Sequence, residues 1–128
     1  ISSIQMDLMA FINKENQSLL TEEELSILQF LTLVIFKSVQ KHYEIKPISG
    51  KHLEEAEEGN WAVFHDTQYK KFSQVMDKFF EKYDQEDLLA LVEDTVQDEE
   101  DNVITQVGRE IIVVAAKSII DVLNQSSN

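Results

Sequence analysis

The chain has 128 residues and no cysteine, and 24 acidic residues against 11 basic ones give it a formal net charge of -13. The lack of cysteine excludes disulfide scaffolds, thiolate metal sites and cysteine nucleophiles. The negative charge argues against binding to phosphate backbones or anionic membrane surfaces, so we expect neither a nucleic-acid nor a membrane partner.

Helical periodicity runs through most of the chain. Only three glycines and one proline are present, which argues against a hairpin-rich β protein. No uncharged apolar run approaches the roughly 20 residues that span a bilayer. We expect a cytoplasmic protein, trimmed ahead of Ile1, with an all-α fold: one domain over residues 1–128, built as a compact bundle of five or six helices.

The first two predicted helices cover residues 3–13 and 22–43. Thr21 and Glu24 have the spacing of a capping box, in which the Thr21 hydroxyl accepts the Glu24 N–H and the Glu24 carboxylate accepts the Thr21 N–H. The helix that follows is apolar nearly all round, so we expect it to be central and buried on most sides.

The middle of the chain predicts three shorter helices. Residues 49–59 form a short helix with Gly59 as its left-handed C-terminal cap. A helix over residues 66–82 has an aromatic inner face and a lysine-rich outer face, which suits solvent better than nucleic acid because acidic residues interrupt the lysines. Asp84 is the expected N-cap of the next helix.

The last predicted helix, residues 103–123, is the second near-buried central element. Its β-branched run at 111–114 would also suit a buried strand. The length of the segment and the i,i+4 pair of Lys117 and Asp121 favour a helix. Gly108 is costly inside a helix, so we expect another helix to pass close to it.

An acidic patch covers the outward face at the end of the fifth predicted helix and the loop that follows it, from Glu93 to Asp101. Its carboxylates are Glu93, Asp94, Asp98, Glu99, Glu100 and Asp101. An EF-hand register that starts at Asp98 fails, because Val103 stands where glycine is needed and Arg109 where glutamate is needed. We expect a solvated loop that could meet a basic partner or mimic nucleic acid.

Catalytic and cofactor motifs are missing from the sequence. The glycines are far apart, with no phosphate-binding loop, and no G-x-S-x-G is present. A zinc site built from His52, Glu55 and His65 is conceivable, since His52 and Glu55 lie one helical turn apart, but exposed loop histidines are common. We therefore predict no catalytic residue, metal or cofactor.

Rare residue types gather at residues 59–66, which include the single tryptophan, Trp61. These aromatics could plug the end of the bundle. They could instead form a ligand or partner lip. Its members would be Trp61, His65, Asp66, Tyr69 and His42.

Two functions of different class follow from these patterns. The leading hypothesis is a non-enzymatic interaction module, binding a protein partner or a second copy of itself as a homodimer, because two helices this apolar need more cover than short neighbours give. The alternative is a small-ligand-binding or catalytic protein that uses the junction between Trp61 and Asp66. The sequence does not identify the partner or ligand.

Overall fold

The computed structural model describes residues 3–16, 19–42, 48, 50–66, 68–97 and 104–126, and over these residues the chain forms six α-helices and no strand. The helices are α1 (Ser3–Asn16), α2 (Glu22–His42), α3 (Gly50–Phe64), α4 (Phe72–Phe80), α5 (Glu86–Thr95) and α6 (Gln106–Ser126). They pack into a compact bundle. The predicted all-α bundle is confirmed.

Helix α6 is the centre of the bundle. It packs against α1, α2, α3 and α5, most extensively against α3 and α2. Every residue from 111 to 120 is buried. The β-branched run at 111–114 is therefore helical because neighbours cover it on all sides, and the strand alternative is wrong.

Helix α2 is covered more on one side than on the other. Leu28, Leu31 and Ile35 are fully buried, where α2 meets α6 and α1. On the opposite side Phe30 is 57% exposed and Leu33 is 39% exposed. Burial on most sides therefore applies to α6, whereas α2 keeps an apolar face that the described part of the chain leaves exposed.

Helix α3 is longer than the sequence pattern predicted. It continues through Gly59 to Phe64, and no glycine among the described residues has a positive φ, so the predicted cap at Gly59 is wrong. The next residue explains the continuation: Asn60 is only 6% exposed and hydrogen-bonds to Ser118 of α6. This long-range contact stabilises the part of α3 that follows Gly59.

Helix α4 begins six residues later than predicted. The Asp66 carboxylate accepts the Gln68 N–H at 3.1 Å, a local turn that competes with helix formation. The Gln74 side chain then accepts the Lys71 N–H at 3.0 Å and so caps a helix that starts at Phe72.

The connection between α4 and α5 also differs from the prediction. Helix α4 ends at Phe80, and Lys82 lies in the left-handed region with a φ of 53°. The N-cap position of α5 is Gln85, not Asp84, and its side chain makes no hydrogen bond to the start of the helix. The side chain of Gln85 instead donates to Asn124 of α6 at 2.9 Å, a contact between residues 39 positions apart.

Candidate functional site

Helix α2 is joined to α6 through the carboxylate of Glu24. Oε1 accepts the Thr21 N–H at 2.9 Å, and the Thr21 hydroxyl accepts the Glu24 N–H at 3.2 Å, which confirms the predicted capping box. Oε2 accepts the N–H and the hydroxyl of Thr105 at 2.7 and 2.9 Å. The Thr105 hydroxyl in turn accepts the Gly108 N–H at 2.9 Å. One buried carboxylate thus accepts hydrogen bonds at the starts of both helices.

The charge of Glu24 is stabilised at this junction. Burial alone raises the pKa of its carboxyl, but the hydrogen bonds from the backbones of Thr21 and Thr105 and from their hydroxyls outweigh it, so the pKa lies below its ordinary value. The ionised carboxylate ties the first turn of α2 to the start of α6.

The outer face of α2 is the open side of this helix. We define it by five exposed residues at alternating spacings of three and four, which place them along one stripe. They are Glu23, Ser26, Phe30, Leu33 and Lys37. Half-buried Ile27 and Val34 lie along its edge. The stripe is acidic at its N-terminal end, apolar in the middle and basic at its C-terminal end.

Two members of the predicted lip lie side by side. Trp61 and His65 stack with ring centroids 5.7 Å apart and planes 17° apart. Together with Glu58 and Ala62 they line a shallow depression that is open to solvent. Phe64 points instead into the bundle, against Phe79 at 5.8 Å.

The other predicted lip residues do not join this depression. Tyr69 lines a separate cleft with Phe72 and Lys71. Both carboxylate oxygens of Asp66 are engaged by Gln68, at 3.1 and 3.2 Å. The side chain of His42 lies outside the described residues. Of the four lip residues whose side chains the structure describes, only Trp61 and His65 are therefore brought together.

The acidic patch extends beyond the run that the sequence displays. Residues 98–101 lie outside the described part, but Glu93 is half-buried and Asp94 exposed on α5. Burial, together with repulsion from Asp94 and from Asp77 of α4, raises the pKa of Glu93. The contribution of Asp77 comes from the packing of α4 on α5 and could not be read from sequence spacing.

No metal centre forms in the part of the chain that the structure describes, where no three histidine or acidic side chains lie close enough to hold an ion. His52 and His65 lie near opposite ends of α3, about 20 Å apart at 1.5 Å of rise per residue. The conceivable zinc site of His52, Glu55 and His65 is therefore not formed. In that same part, no helix has the length and apolar character needed to cross a membrane.

A buried polar cluster, which the sequence pattern revealed only in part, links α3 and α6 to the loop after α4. Its members are Asn60, Tyr83, Lys117, Ser118 and Asp121. Lys117 is 8% exposed, and its ammonium donates to Asp121 and to Asn60, each at 3.0 Å. Asn60 also donates to the Ser118 hydroxyl at 3.0 Å.

Aromatic rings complete the surroundings of Lys117. Its ammonium lies 4.9 Å from the ring centroid of Phe79 and 4.7 Å from that of Tyr83. The Tyr83 hydroxyl donates to Asp121, and burial, followed by the charge of Asp121, raises the pKa of Tyr83. The ammonium is enclosed by these partners, so the cluster is suited to holding helices together rather than to nucleophilic chemistry.

Comparison of the chain with known protein families, characterised proteins and solved structures gave no match. The functional interpretation therefore rests on the geometry of the chain itself. Of the surfaces described above, the outer face of α2 is the one that exposes large apolar side chains side by side on a regular element.

Proposed function

We propose that this chain is a non-enzymatic interaction protein that forms a homodimer through the outer face of α2. The observation that carries the proposal is the exposure of Phe30 and Leu33, 57% and 39%, one turn apart on the same stripe. Neighbouring exposed apolar side chains on a rigid helix are typical of protein contact surfaces.

The charge distribution favours a second copy as the occupant. The chain as a whole carries a net charge of -13, which opposes self-association through most of its surface. The exposed charges of α2 are balanced, since Glu22 and Glu23 near its start are matched by Lys37 and Lys41 near its end. Two copies can therefore meet along α2 without the repulsion that acid-rich surfaces would produce.

The position of α2 in the bundle also supports the proposal. Among the described helices, this one packs mainly against α6 and α1, and the Glu24 junction holds its first turn in place. A 21-residue helix is about 31 Å long, so its open side offers a straight and preorganised surface. Little ordering is then required when a second copy binds.

Sedimentation of matched variants tests this function. We expect the wild-type chain to be dimeric at micromolar concentrations and Phe30→Ser to be monomeric. Val107→Ser is the control, because Val107 of α6 is also 57% exposed but lies off the outer face of α2. We expect this variant to remain dimeric.

Two outcomes would overturn the proposal. A wild-type chain that stays monomeric throughout the micromolar range has no such dimer. A Phe30→Ser chain that dimerises as well as wild type would place the contact elsewhere. Circular dichroism of each variant confirms that the helices are intact, as expected for substitutions at exposed sites.

A further inference from the structure

We propose that the two α2 helices of the dimer pair antiparallel about a two-fold axis at Phe30, with Glu23 of each copy facing the partner's Lys37. This inference rests on the proposed homodimer and adds its orientation and its polar contacts. A two-fold dimer uses the same patch on both copies, so that patch must be complementary to itself.

The spacing of the outer face meets this requirement. Phe30 is seven residues from both Glu23 and Lys37, and seven residues are close to two helical turns, so all three lie on one line. In an antiparallel pair centred on Phe30, residues whose numbers add up to 60 face each other. Glu23 then meets the partner's Lys37 at one end, and the symmetric pair forms at the other.

The same pairing of facing residues places apolar side chains between the two charged ends. Phe30 meets its own copy at the axis. Ile27, half-buried in the single chain, faces the partner's Leu33, which is one of the exposed apolar residues. The result is three apolar layers bounded by an ion pair on each side, the arrangement that helix pairs use to combine affinity with orientation.

A parallel pair would lack this complementarity. Glu23 would face Glu23 of the second copy, and Lys37 would face Lys37, so like charges would meet at both ends. The charge order along the outer face therefore selects the antiparallel orientation.

Charge reversal tests the orientation. Each single change, Glu23→Lys or Lys37→Glu, creates two repulsive contacts in the antiparallel dimer, and we expect its dissociation constant to rise by at least about tenfold. The combined variant Glu23→Lys/Lys37→Glu restores both ion pairs with their signs exchanged. We expect its dissociation constant to return to within about threefold of the wild-type value, since only the two positions have exchanged charge.

The control reverses a charge away from the outer face. Lys51 of α3 is exposed, and its ammonium lies 4.0 Å from the Glu55 carboxylate. Lys51→Glu changes the net charge of the chain by the same amount as Lys37→Glu. We expect it to leave the dissociation constant within about threefold of wild type. Thermal unfolding of each variant separates a loss of dimer from a loss of fold.

The outcomes distinguish this inference from the proposed function. If the wild-type chain is monomeric, both are overturned. If a dimer forms and Phe30→Ser abolishes it, but the single reversals leave it unchanged or the combined variant fails to recover, the antiparallel arrangement is overturned and the contact face is retained.

Discussion

Glu24 of α2 occupies the space into which a side chain at position 108 of α6 would project. A Cβ built on Gly108 would overlap the Glu24 carboxylate, and the same carboxylate accepts both the N–H and the hydroxyl of Thr105. The predicted close approach at Gly108 is thereby confirmed, with the partner identified as a carboxylate rather than an apolar side chain. The contact holds α2 on α6 and leaves Phe30 on the outer side.

Two glycine substitutions should have opposite effects on stability. Gly108→Ala forces the Glu24 carboxylate to move, and we expect the free energy of unfolding to fall by about 1 to 3 kcal/mol. At Gly59, in the interior of α3, a Cβ meets nothing within 4 Å. There, alanine should raise the free energy of unfolding by about 0.5 to 1 kcal/mol.

Denaturation of both variants with urea measures the difference, provided that the concentration is low enough to keep the chains monomeric. Equal changes at the two positions, or a stabilised Gly108→Ala chain, would contradict the account of the Glu24 junction. Helix propensity alone favours alanine at both sites.

Acid should weaken the fold through Glu24. Because the pKa of its carboxyl is lower in the folded chain than its ordinary value, the ionised group stabilises the fold at pH values above the unfolded-state pKa. That contribution is lost as the pH falls through the folded-state pKa. At pH 7 we expect Glu24→Gln to lower the free energy of unfolding by about 1 to 3 kcal/mol.

The pH dependence provides the check on this assignment. The deficit of Glu24→Gln relative to wild type should shrink as the pH falls, because protonation removes the same charge from wild type. Glu22→Gln, at an exposed position in the same first turn, should change stability by less than about 0.5 kcal/mol. A deficit that is constant with pH would mean that the charge of Glu24 does not matter.

The buried polar cluster should behave as one unit. Lys117→Met leaves the half-buried carboxylate of Asp121 without its cation and should cost about 2 to 4 kcal/mol of unfolding free energy. Asp121→Asn removes the opposite charge. We expect the double variant to be more stable than the sum of the single effects requires, with a coupling of about 1 to 3 kcal/mol measured by a double-mutant cycle. Additive effects would show that the two charges act independently.

Local patterns in the sequence predicted the features that depend on neighbouring residues. The capping box at Thr21 and Glu24 needs two side chains three positions apart, and it forms as predicted. The helix predicted for the last segment from its length and from the i,i+4 pair of Lys117 and Asp121 also forms.

Features that depend on distant residues could not be predicted in this way. The continuation of α3 through Gly59 follows from the contact of Asn60 with Ser118, 58 positions away. Periodicity likewise finds the apolar residues of α2 but not how many neighbours the fold supplies to cover them. Periodicity alone therefore predicts that Phe30 is buried, whereas the packing of the bundle leaves it 57% exposed.

The distance between spin labels on the two copies tests the central claim most directly. The chain has no cysteine, so Gln40→Cys, at an exposed position of α2, would carry a single nitroxide per copy. In the antiparallel dimer centred on Phe30, the labelled positions lie about 30 Å apart along the helix axis. We predict an interspin distance near that value in the wild-type background and its loss in Phe30→Ser. A distance shorter than about 20 Å, as helices packed parallel at 8 to 10 Å would give, or no dipolar signal at micromolar concentration, would contradict the account.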